Sequence, residues 1–184
     1  MRGWMIAGLL LAGCATTKAM GPYQPASELA RDTARAEELN REAAGLIDRN
    51  PERAEELLRE ALTADLYFGP AHNNLGVVFL KQDQLYEAAS ELEWARKLLP
   101  GHPDPRVNLA LTMERAGKTD EALAAYDAAL EVYPDYLPAI MGAASLSLRS
   151  GREDARLHEW LEAISMRAEK PRWREWSRGQ LASR

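Results

Sequence analysis

The residues with the widest chemical reach in this 184-residue chain are three histidines, one cysteine and several adjacent pairs of carboxylates. His72, His102 and His158 are scattered along the chain, and none falls in an HExxH zinc motif. A lone Cys14 forms no internal disulfide and no CxxC pair, so a structural zinc or iron–sulfur centre lacks its ligands. Glu37-Glu38, Glu55-Glu56 and Asp120-Glu121 are consecutive, and consecutive side chains on a helix diverge by about 100°. Such pairs do not converge on one pocket; they suit a solvated face with partners one turn away, as Glu55 with Arg59. A Gly-rich phosphate loop is absent, as is a serine on a strand–turn–helix elbow. The chain is therefore read as non-catalytic, with no metal, no cofactor and no small-molecule substrate. His72 is expected to pack between helices, with the other two histidines on the surface. A polar pocket setting His72 or His158 beside a carboxylate would speak against that reading.

Composition narrows the class further. The length suits one domain with its own core and is too short for two large catalytic domains. A hydrophobic share of 46%, a charged share of 28% and a formal net charge of −5 fit an acidic globular domain. That balance gives no electrostatic footprint for nucleic acid, and none is expected as a partner.

The N-terminus has a different character. Met1 and Arg2 supply a short positive end, Trp4 to Ala12 is mostly apolar, and Leu11-Ala12-Gly13-Cys14 follows at once. This stretch is too short to span a bilayer and has the layout of a signal peptide. Its end resembles the bacterial lipobox, in which the cysteine is lipidated and becomes the new N-terminus. The resemblance implies a signal peptide over residues 1–13, acyl chains such as palmitate on Cys14, and a chain anchored in the bacterial envelope. Each buried CH2 of such chains contributes about 0.8 kcal/mol. Ala15 after the cysteine resembles lipoproteins carried to the outer membrane, facing the periplasm. A retained apolar helix and simple secretion are the other readings of the same residues. Residues 14–26 hold two prolines and a glycine without apolar period, and read as a flexible tether.

From Ser27 the chain is rich in Ala, Leu, Glu and Arg, lacks alternating β-branched runs, and predicts an all-α fold. Ser27-Glu28, Asn50-Pro51-Glu52 and Thr119-Asp120-Glu121 read as helix starts. Pro100-Gly101, Gly117 and Gly151 read as stops or turns. Leu75-Gly76, Phe79, Ala88, Leu92, Ala95 and Pro100 are followed 34 residues on by Leu109-Ala110, Met113, Ala122, Tyr126, Ala129 and Pro134. This pattern resembles the tetratricopeptide repeat, and the resemblance implies an α-α superhelix of helical hairpins with units near 35–68, 69–102, 103–136 and 137–166. Small residues at 76, 88, 110 and 122 leave room for close helix approach, while Phe79, Leu92 and Tyr126 fill the seams. The outer units depart from the pattern: Arg41-Glu42 stand in place of Leu-Gly, Ser147 in place of the aromatic, and Arg156 in place of a small alanine. Such departures suit the ends of a stack, where a unit has one neighbour.

The same resemblance implies a concave face lined by the first helix of each unit. The lining positions fall on Asn73, Val77, Leu80 and Lys81, then Val107, Leu111, Glu114 and Arg115, then Met141, Ser145 and Arg149, with Pro70, Asp104, Pro138 and Leu148 alongside. An apolar floor with Lys81, Arg115 and Arg149 in a row along one side is expected to seat an extended or helical peptide with acidic groups. Packing of Val77, Leu111 and Leu148 against a neighbouring helix or the N-terminal segment is the competing reading. Family members that clamp a C-terminal carboxylate carry Lys and Asn where this chain has Asn73 and Val77, or Val107 and Leu111, so that clamp is not expected.

Residues 167–184 carry six basic and two acidic side chains, against the acidic balance of the rest. Trp173 and Trp176 share a face if Pro171 opens a helix. With Arg172 and Arg174 they form either a cap on the last repeat or an exposed aromatic-basic patch. The function expected from the whole is a membrane-anchored scaffold binding an envelope protein or peptide through its concave face. The alternative is a structural or regulatory subunit of a cell-wall remodelling or outer-membrane/pilus assembly complex, acting through the C-terminal patch.

Overall fold

The structure, a computed structural model, describes residues 31–183. The signal peptide, Cys14, the tether and the helix start at Ser27 named above lie outside the described residues. Among the described residues there are nine helices and no strand: α1 (Thr33–Ala44), α2 (Pro51–Ala64), α3 (Gly69–Lys81), α4 (Leu85–Leu98), α5 (Asp104–Arg115), α6 (Thr119–Val132), α7 (Leu137–Ser150), α8 (Leu157–Arg167) and α9 (Pro171–Ala182).

Local chemistry sets many of these boundaries. Asn50 caps α2 by accepting from the Arg53 N–H at 3.1 Å, with Pro51 in the first turn where no N–H is missed. Asp32 caps α1 in the same way from Arg35 N–H, 2.9 Å. The turns inside the second, third and fourth hairpins each pass through a left-handed residue, Asp83, Gly117 and Gly151, at φ of 62°, 72° and 66°. Glycine adopts that conformation without steric cost, and Asp is among the side chains that tolerate it.

Helices α1 to α8 pair as antiparallel hairpins, and the pairs stack in chain order. The first helices α1, α3, α5 and α7 touch one another in succession, whereas α2, α4, α6 and α8 do not. Closer spacing on one side bends the stack, so the first helices line its concave side. Leu75, Phe79, Ala88, Leu92, Ala110, Ala122 and Tyr126 are all buried. A Cβ at Gly76 would lie 2.6 Å from Leu92 Cγ, which is why a glycine stands where α3 meets α4. Most of the buried apolar residues fall into two clusters, one drawn from α1 to α4 and one from α5 to α8, the latter reaching Ala168, while Leu92, Ala95 and Leu109 are buried outside both. Trp173, Trp176 and Leu181 of α9 lie against this second cluster.

The end units depart from the 34-residue frame for visible reasons. Arg41 and Glu42 are exposed because no described helix stacks before α1. Arg156 lies ahead of the first turn of α8, not within a helix contact, so no small residue is needed there. Its guanidinium bridges Asp154 at 2.6 Å and Asp127 at 2.9 Å, and its own N–H donates to Asp154, fixing the loop before α8.

Candidate functional site

The concave side holds an open groove of about 600 Å³ lined by Val107, Leu111 and Glu114 of α5, and by Pro138, Met141, Gly142, Ser145 and Arg149 of α7. Tyr126 from α6 and Trp173 from α9 complete its wall. Pro138, Met141 and Trp173 also line a second hollow of about 420 Å³, continued by Leu137, Ala168 and a rim of Arg167, Glu169 and Lys170. Leu111 is 41% exposed, unusual for a leucine in a chain whose other large aliphatic residues are mostly buried.

Tyr126 is fully buried in α6 yet reaches this wall because Gly142 gives way. A Cβ at position 142 would lie 2.2 Å from Tyr126 Cζ, inside the ring's own volume. The phenol donates to Glu114 Oε1, while Arg149 binds Oε2 of the same carboxylate. Burial first, and Glu114 second, push the Tyr126 phenol up, so it remains a protonated donor throughout the accessible pH range. Tyr136 donates to Asp104 in the same manner across the start of α5, and burial again raises its phenol.

Of the lining residues expected from the sequence, Val107, Leu111, Glu114, Met141, Ser145 and Arg149 come together in the groove. Asn73, Val77, Leu80, Lys81 and Arg115 do not line it. Leu80 is buried and Val77 half-buried. The cationic row is also not free. Lys81 pairs with Asp48 at 2.6 Å, Arg115 donates to the Leu80 carbonyl at 2.7 Å, and Arg149 pairs with Glu114. Each cation ends a first helix and reaches back to the preceding unit, a ladder that ties neighbours together. Asn73 joins a second ladder across the inner face: Asn74 donates to Asn40 at 2.9 Å, Asn73 to Asn74 at 3.4 Å, and Asn108 to Asn73 at 3.0 Å.

The C-terminal residues do not form one exposed patch. Trp173 walls the groove, and Trp176 meets it edge to face at 5.3 Å while packing on the core. Arg174 donates to the Ala168 carbonyl at 2.9 Å, and Arg172 is exposed.

Tyr126 and Gly142 are the wall residues that the repeat pattern does not name as such. A signal for Gly142 is present: Asn40, Asn74 and Asn108 recur every 34 residues, and the fourth place in that series is Gly142.

His72 does sit beside a carboxylate. Its Nδ1 lies 2.6 Å from Glu91 and its Nε2 2.8 Å from the Leu66 carbonyl, and the ring stacks on Trp94 at 5.8 Å. Both ring nitrogens are thus committed inside the protein, and His72 does not line the outer cleft that Glu91 shares with Arg59, Phe79 and Tyr86. His102 and His158 are exposed. Among the described residues no cluster of three His, Cys, Asp or Glu side chains is placed to hold a metal ion, and no helix is long and apolar enough to cross a membrane.

A tetratricopeptide repeat model matches residues 103–146, that is α5, α6 and most of α7. Solved structures share the fold. The first tetratricopeptide domain of Spaghetti (RPAP3), bound to an HSP90 peptide, is 17% identical with a TM-score of 0.63, covering 67% of this chain and 98% of that one. MamA is 19% identical with a TM-score of 0.60 over 83% of this chain and 84% of its own. An O-GlcNAc transferase of Thermobaculum terrenum is 24% identical with a TM-score of 0.66, over 73% of this chain but 26% of that enzyme. No curated protein matches the sequence. The fold is therefore the α-α superhelix of tetratricopeptide-type hairpins.

Proposed function

We propose that the chain is a non-catalytic interaction scaffold that seats a peptide segment of a partner protein in its concave groove, and that lipidation of Cys14 holds it in the bacterial envelope, facing the periplasm from the outer membrane. The observation that carries the binding reading is the groove itself: an open apolar trough on the inner face, with Leu111 41% exposed and Met141 and Trp173 beside it. Exposed apolar surface gathered in a concavity is what a protein partner covers on docking. The peptide held by the Spaghetti (RPAP3) domain supports this use of the fold. The lipid anchor rests on the Leu11-Ala12-Gly13-Cys14 resemblance, and the envelope partner follows from the anchor.

A photo-crosslinking side chain placed at Ser145, in the groove, and at exposed Glu131, on second helix α6, tests the pair of claims in membranes of the producing cell. Crosslinks to a discrete envelope protein are expected from position 145 and not from 131, and Cys14→Ser is expected to release the protein from the membrane fraction. Equal crosslinking from both positions overturns the groove as the site, and unchanged membrane recovery of Cys14→Ser overturns the anchor.

A further inference from the structure

We infer that the edge of the stack where second helices end and first helices begin rests on the lipid surface entered by the acyl chains of Cys14. The inference rests on the lipid-anchor reading above and adds the face that the protein turns to the membrane.

Antiparallel hairpins give the stack two edges, and large apolar residues are exposed mainly at one of them. Tyr67, Trp94, Tyr133 and Met166 are between 42% and 72% exposed, and each stands within four residues of the end of α2, α4, α6 or α8, one per hairpin. Among the described residues the other large apolar side chains so exposed are Leu111, in the groove, and Tyr86, at the opposite edge. Exposed apolar residues scattered singly need no explanation, but a place repeated in all four hairpins is not scatter. Cations accompany the rings: the Arg31 guanidinium lies over Tyr67 at 5.2 Å, and the Lys97 ammonium over Trp94 at 5.8 Å. Rings with one apolar and one polar end, beside long basic side chains whose heads reach outward, suit the boundary between headgroups and acyl chains.

The chain towards Cys14 leaves from this same edge. Arg31 is held there by Asp65 at 2.9 and 3.1 Å, and the Asp32 N–H donates to the Ala64 carbonyl at 3.0 Å. Residues 15–30 span at most about 55 Å, and the opposite edge lies a helix length, about 21 Å, further along the molecule. Charge agrees with this orientation. Residues 31–33, 64–69, 97–106, 132–137 and 166–172, which make up the edge, carry six basic and five acidic side chains, so the net charge of −5 belongs to the rest of the chain. An anionic leaflet repels that rest and not this edge.

The test uses the lipidated chain, whose acylated Cys14 leaves no free thiol because it is the only cysteine. Tyr133→Cys, Met166→Cys and, as the control, Tyr86→Cys are each labelled with an environment-sensitive fluorophore. The three native side chains are exposed, so the variants keep the fold, which circular dichroism checks. The proteins are placed in vesicles of phosphatidylethanolamine and phosphatidylglycerol, with or without brominated acyl chains. Bromine is expected to remove about half the emission at positions 133 and 166 and to leave 86 unchanged, at low and high salt alike. Equal quenching at all three positions, or none at 133 and 166 while the protein stays with the vesicles, overturns this inference alone. Label taken up by the parent protein at Cys14, with no recovery on vesicles, overturns the anchor and this inference with it. Shielding of 133 and 166 that persists in detergent without lipid assigns the edge to a second copy of the chain and overturns the inference as well.

Discussion

Among the described glycines, Gly142 has the least room for a side chain. Any side chain there meets Tyr126, whose ring is fixed by burial and by its bond to Glu114. Gly142→Ala is expected to cost about 1–3 kcal/mol of stability in urea denaturation, as overpacking does. Combining it with Tyr126→Leu should recover part of that loss, a coupling that a double-mutant cycle reads directly. His72 offers a second test at this scale. His72→Ala leaves the Glu91 carboxylate without its ring partner, and a loss of about 1–3 kcal/mol is expected by the same measurement. The types and unit positions of Lys81, Arg115 and Arg149 were legible in the sequence; their engagement was not. A repeat frame says which helix a cation ends, but its partners, Asp48, the Leu80 carbonyl and Glu114, stand 33 to 35 residues earlier and become neighbours only when hairpins stack.

At the scale of elements, Asp65 closes the first hairpin. It follows α2 and accepts from Arg31 at 2.9 Å, from Thr33 at 2.8 Å and from the Tyr67 N–H at 3.0 Å, so the end of α2 is tied to the start of α1. Burial alone would raise its carboxyl, but these hydrogen bonds outweigh it and hold the group below the usual carboxylate range. A carboxyl lowered by folding stabilises the fold above its unfolded value near 3.9, and that contribution is lost as pH falls through the folded value. Asp65→Asn is therefore expected to lower Tm at pH 7, with the gap from the parent closing at the acid end of a series of thermal melts. Helix identity was the most readable part of this molecule, because Asn50-Pro51 and the glycines at 117 and 151 act locally. The start of α8 was less so. The frame alone would put Arg156 inside a helix, and what moves the boundary is a three-way contact with Asp154 and Asp127, the latter from a different hairpin.

For the whole molecule, the division of the apolar interior into two clusters matters most. Stability in a stacked array is a sum of units and nearest-neighbour contacts, so damage should stay near its origin. Leu62→Ala, in the N-terminal cluster, is expected to speed hydrogen exchange in α1 to α4 well before α5 to α8. Removing residues 171–184 should do the reverse, exposing α7 and α8 and raising binding of an apolar dye, with α1 to α4 unchanged. Either deletion or substitution loosening both halves equally would show one cooperative unit. The sequence placed Trp173 and Trp176 on one face but not what that face meets, since the contact depends on how α9 folds back along α8.

That return of α9 also bears on how a chain of this kind lengthens. A copied hairpin inserted between α4 and α5, where the two clusters adjoin, would meet repeat surfaces on both sides. The same copy placed after α8 would find its seat held by a helix that is not a repeat, with Trp173 already lodged against Pro138 and Met141. Growth by gene duplication is thus open inside the array and closed at its C-terminal end.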